Sequence, residues 1–164
     1  MTDQDNAKAL HAELLEQERD VQFDSFGLED AWQVGSMLRE LAAVRQLPVA
    51  ISIVMGDQRV FHAALPGSAA DNDDWLARKF RVVRRFGHAS YTVGTEYRAR
   101  GKRFDDDVHF DVREYAAHGG AFPLRVRGSM VGIVGVSGLP QEDDHALVVE
   151  VLTVHRDNAT VARD

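Results

Sequence analysis

The chain has 164 residues, 45% of them hydrophobic and 27% charged, with a net charge of −7 and no cysteine. That size and apolar content predict one globular domain over residues 1–164 that needs no disulfide or structural metal. The missing thiols exclude zinc–thiolate sites, iron–sulfur clusters and a Cys nucleophile, and the acidic balance argues against nucleic-acid binding.

The polar, acidic residues 1–6 and the lack of a long apolar run predict a cytoplasmic protein with no signal peptide and no membrane span. Residues 3–19 read as a polar helix with a thin stripe of Leu10, Leu14 and Leu15. Val21 and Phe23 alternate like a short strand. Residues 28–46 carry Leu28, Ala31, Trp32, Gly35, Leu38, Leu41 and Ala42 at helical spacing, which predicts one core face. Pro48 stops that helix. Residues 49–55 and 59–64, joined at Gly56-Asp57, predict a hairpin.

The acidic and amide run 71–74 suits the start of a helix, where backbone N–H groups are free. Trp75, Phe80, Val83 and Phe86 are expected to point inward, with the Trp75 ring buried and its indole N–H bonded. The helix is interrupted at Gly87, resumes over 90–100 and ends at Gly101. Residues 102–110 form a charged loop. A second hairpin is predicted from 122–127 and 130–137. The last helix starts at Pro140, with Glu142, Asp143 and Asp144 in its first turn, and frays after Arg156. A lone strand and two hairpins predict an α/β (α+β) fold with a mainly antiparallel five-stranded sheet and flanking helices.

Four places carry chemistry. Arg78, Lys79, Arg81, Arg84 and Arg85 read as a grip for phosphates or carboxylates, or as a solvated face paired with the acids at 71–74 and 105–107, the more usual fate of such a run. His118-Gly119-Gly120 combines a neutral base or haem ligand with two residues that let a ligand approach the backbone; the alternative is a tight loop feeding the next strand. Ser137 closes a strand just before a helix N-terminus, a natural anion site, although the spacing of a nucleophile elbow is missing. Glu142 and His145 stand at the i, i+3 spacing of carboxylate metal sites. No second copy accompanies them, so no metal site is expected, and His145 reads as a partly exposed helix residue.

The stretches LPVAISI (47–53), FHAALPGSAADNDDWLARKFRVVRRFGHASY (61–91), EYAAHGGAFPLRVRG (114–128) and VSGLPQEDDHALVVEVL (136–152) together resemble the UPF0303 family, allied to the haem-degrading-like and GlcG-type proteins. The resemblance spans most of the chain from Leu47 to Leu152. It implies a profilin-like α/β sandwich that assembles into homo-oligomers, and it carries over no catalytic residue. The expectation is a protein that binds haem or another small anionic ligand through Arg78, Lys79, His118, Ser137 and His145. The alternatives are a noncatalytic oligomeric scaffold or adaptor, and an enzyme pairing His118 with Asp111 or His145 with Asp144.

Overall fold

Four segments rich in β-branched and small apolar residues pair into one antiparallel sheet: β1 (Ala50–Met55), β2 (Gln58–Ala64), β3 (Ala121–Val126) and β4 (Ser129–Ser137), in the order β2-β1-β4-β3. They are the two predicted hairpins, joined through β1 and β4. The structure, a computed structural model, describes residues 1–162.

Side chains alternate along each strand, so the sheet has two different faces. Ala50, Val54 and Ile133 pack against Leu76, Phe80 and Val83 of α3 (Ala70–Phe86). Ile51, Ile53, Val134 and Val136 pack against Val34 and Leu38 of α2 (Leu28–Val44) and Val148 and Leu152 of α5 (Gln141–Val161). α1 (Asp3–Asp20) lies along α4 (Ser90–Ala99), pinned by Glu18, whose carboxylate accepts from the Ala89 amide (3.1 Å) and meets His88 Nδ1 (3.3 Å). Among the described residues no helix is long and apolar enough to cross a membrane.

Four expectations need correction. The sheet has four strands, not five: Phe23 makes only a single parallel bridge to Val126, through the Arg125 carbonyl (3.0 Å) and the Arg127 amide (3.2 Å). Val21, Phe23 and Phe26 are buried as an irregular segment instead of alternating across a sheet. The core face of α2 is Ala31, Val34, Gly35, Leu38 and Ala42, which leaves Leu28 60% and Trp32 63% exposed. α5 runs past Arg156 to Val161, because buried His155 packs on Phe23 and Phe26 and bonds Asp30 at 2.9 Å.

Candidate functional site

A groove opens where α3, the loop 115–120 and the start of α5 meet. One hollow of about 210 Å³ is bordered by Asn72, Trp75, Lys79, His118, Ser137 and Asp144. A second, of about 170 Å³, is bordered by Arg98, Arg103 and Asp105 and shares His118 and Gln141 with the first. His118 is therefore the partition between them.

The paired glycines make this geometry. A Cβ on Gly119 would strike the Gln141 carbonyl, and Gly120 has φ +133°, with a Cβ there 2.8 Å from Lys79 Nζ. The loop thus lies directly on the first turn of α5, where the Gly119 amide donates to Gln141 Oε1 (3.1 Å). His118 is carried to the groove by that contact.

The two amides just ahead of the helix start that the sequence marks as an anion site are taken from within. Asp144 Oδ1 accepts from the Leu139 amide (3.0 Å), and Oδ2 accepts from the Gly138 amide (3.3 Å) and from Lys79 Nζ (3.2 Å). Lys79 also donates to the Val136 carbonyl at 3.3 Å. Asp144 thus ties down the turn that leads into α5, whose N-cap Pro140 carries no side-chain cap, while Glu142 and Asp143 of the same first turn are exposed. Lys79 is 3% and Asp144 2% exposed. Burial lowers the Lys79 ammonium and raises the Asp144 carboxyl, against their mutual attraction.

The other predicted residues separate. Ser137 borders the groove at the end of β4. Arg78 donates to Asp74 (2.9 Å) and lies 4.0 Å from the centre of the Trp75 ring, outside the Lys79 pair. Trp75 is half-buried, not buried as expected: it forms a wall of the groove, edge-on to His118 at 5.2 Å. Arg81 turns to the Glu114 carbonyl (3.1 Å), so the basic run splits into one buried cation and several surface pairs.

His145 is 4% exposed, not partly exposed, and lies outside the groove. Its Nε2 meets Gln17 Oε1 at 2.6 Å, Tyr91 and Phe122 flank its ring, and burial holds it down at about 4. Glu142 does not join it. The two histidine–carboxylate pairs do not form either: Asp111 is held by Arg113 and Asp144 by Lys79.

His118 itself is half-buried, and among the described residues no hydrogen bond ties its ring nitrogens. Burial holds its pKa below the ordinary value, opposed by Asp105 and reinforced by the charges of Lys79, Arg78 and Arg98. At neutral pH it is a neutral imidazole in a positive field. Arg98 is the residue the sequence reading missed. It sits one helix away, steadied by Thr95 Oγ1 at 2.7 Å, and nothing local sets it apart from the other arginines.

Helices on both faces of an antiparallel sheet, with a polar groove at the end of the central strand β4, define an α+β domain of layered type. The profile of the family described as "Haem degrading protein HbpS-like" matches residues 26–153, and the chain belongs to that family. It is 58% identical over 142 residues to a UPF0303 protein of Streptomyces coelicolor, covering 86% of this chain and 90% of that protein. A UPF0303 protein of Psychromonas ingrahamii is 42% identical over 142 residues, covering 86% and 89%. Among solved structures, Ybr137w superposes with a TM-score of 0.83 at 30% identity, covering 92% of this chain and 89% of that one. A PduOC:heme complex (TM-score 0.65, 20% identity, 79% and 94% covered) and HbpS (0.62, 16%, 81% and 91%) share the fold.

Proposed function

We propose that this protein binds a small anionic ligand in the groove around His118, and that haem is such a ligand. The observation that carries the reading is His118 itself: a neutral imidazole with unbonded ring nitrogens, between two hollows, in the field of Arg78, Lys79 and Arg98. A neutral imidazole ligates iron, and guanidinium groups match carboxylates in charge and shape. Lys79 contributes field only, since its ammonium is already paired with Asp144.

These residues fit the polar parts of haem: His118 for the iron and Arg98, which borders the second hollow, for a carboxylate, with Arg78, paired to Asp74, adding positive charge nearby. The hollows, about 210 and 170 Å³, are smaller than the roughly 300–1,000 Å³ of enclosing ligand sites, so a macrocycle bound here stays partly uncovered or is closed over by a second copy of the chain. The family description and the haem-bound structural neighbour support haem over other anions. The helix–sheet–helix layering supports the profilin-like reading. Edge strand β2, whose outer side meets no other strand among the described residues, supports self-association. Light scattering on purified protein is expected to give a multiple of 18.2 kDa.

Titration with hemin tests the site. Wild type is expected to develop the shifted Soret band of an imidazole-ligated iron. His118→Ala loses that shift, and Arg98→Ala weakens binding. Binding of neither hemin nor simple carboxylates by wild type, or unchanged binding by both variants, overturns the assignment.

A further inference from the structure

Lys79 is not explained by anion binding. The chain has Lys8, Lys79 and Lys102, and the other two are exposed on the surface. Lys79 instead reaches through the core side of α3, 3% exposed, to end at the floor of the first hollow. There its Nζ meets a single carboxylate at 3.2 Å and a single carbonyl at 3.3 Å. Both Lys79 and its carboxylate border the hollow, so a molecule entering it meets the amine and an acid–base group together.

A buried ion pair costs desolvation energy and is replaced by apolar residues without loss in many folds. Its placement on a cavity floor, with the backbone of Gly120 close over Lys79 Nζ, points to chemistry beyond its structural role. We propose that Lys79 is a covalent attachment site that forms an imine with a small 2-oxo acid entering this hollow. The size follows from the cavity of about 210 Å³, and the acid group from the positive field around His118. That second point rests on the anion-binding reading; the reactivity of the amine does not.

The chemistry balances within the groups present. Lys79 first passes a proton to Asp144 across their 3.2 Å contact; its freed lone pair attacks the carbonyl carbon, a C–N bond forms, and the carbonyl π pair moves to oxygen. Asp144 gives that oxygen a proton and takes one from nitrogen, leaving a carbinolamine. The nitrogen lone pair then expels the hydroxyl, which leaves as water with the second amine proton, again relayed by Asp144. Amine and ketone become imine and water, with no oxidant or reductant. Burial supports the assignment, because it weakens the hold of the amine on its proton and strengthens that of the carboxyl.

The test is reductive trapping on the intact protein. Protein is incubated at neutral pH with pyruvate and cyanoborohydride, and separately with propionaldehyde, then digested and mapped by mass. The expected result is a reduced pyruvyl adduct on the Lys79 peptide several times more abundant than those on Lys8 and Lys102, because burial leaves more of this amine unprotonated. In urea the preference disappears, which shows that the fold creates it. Lys79→Arg removes the adduct while the far-ultraviolet spectrum stays native. Native labelling of Lys8 and Lys102 at or above Lys79 overturns the proposal, whether or not the arginine variant folds. Propionaldehyde labelling of Lys79 without pyruvate labelling overturns the 2-oxo acid assignment. Because the readout is a mass on one peptide, failure of the hemin titration leaves it untouched.

Discussion

Removing the Asp144 carboxylate is the most demanding perturbation of this site. Asp144→Ala leaves two amides, those of Gly138 and Leu139, and the Lys79 amine without their shared acceptor. Breaking a buried ion pair from one side costs about 3–5 kcal/mol. Each stranded N–H adds to this where water does not replace the carboxylate, at about 1–3 kcal/mol when fully buried. Lys79 limits the total by releasing its proton, since a lone buried ammonium becomes a neutral amine. The loss is therefore expected to be about 3–5 kcal/mol near neutrality, a melting-temperature drop of about 6–20 °C for a domain of this size. It grows as pH falls, because the unfolded lysine then binds a proton that the folded one resists. Urea denaturation at pH 6 and pH 9 measures both the size and the slope. The double variant Lys79→Met with Asp144→Asn recovers most of the loss, since the asparagine still accepts from Leu139 and no charge remains buried. A single-variant loss under about 1 kcal/mol, the range of solvated pairs, or a loss independent of pH, refutes the reasoning.

Three further outcomes follow from the geometry. His145, buried and held at about 4 against an ordinary 6.5, favours the neutral form in the fold; its contribution of about 3 kcal/mol is complete above 6.5 and is lost as pH falls towards 4, a slope that His145→Leu flattens in acid denaturation. His88 behaves in the opposite sense: its bond to Glu18 raises it above 6.5, so that contribution is present below 6.5 and fades as pH rises through the raised value. Amide exchange in α1 and at Ala89 is expected to quicken over that window in wild type and not in Glu18→Gln. Trp75→Ala, at a half-buried position, is expected to cost about 1–2 kcal/mol, less than the roughly 3–5 kcal/mol of a core tryptophan, while weakening hemin binding severalfold; a full core-sized loss means the ring is structural.

Local signals in the sequence determined a good part of this protein. Hydrophobic period and turn chemistry located five helices and both hairpins to within a residue or two, apart from the end of α5, because 3.6- and 2-residue periods and a Gly-Asp or Arg-Gly turn act over neighbouring positions. The histidine before two glycines and the serine ahead of a helix start were legible for the same reason, and both border the groove. Tertiary structure alone decided the rest. Whether 21–23 becomes a strand depends on a partner edge a hundred residues away, and it gained only one bridge to Val126. The direction of Lys79 depends on the rotation of α3 against the sheet: one step around that helix separates a buried amine from the surface pairs of Arg78 and Arg81. The same rotation carries Trp75 to the rim. Asp144, next to exposed Asp143 in sequence, reaches Lys79 because α5 begins directly beneath the Val136 end of β4. Charge, helix position and residue type are properties of a short segment; convergence of Lys79, His118, Arg98 and Asp144 belongs to four segments packed together, and no local pattern records it.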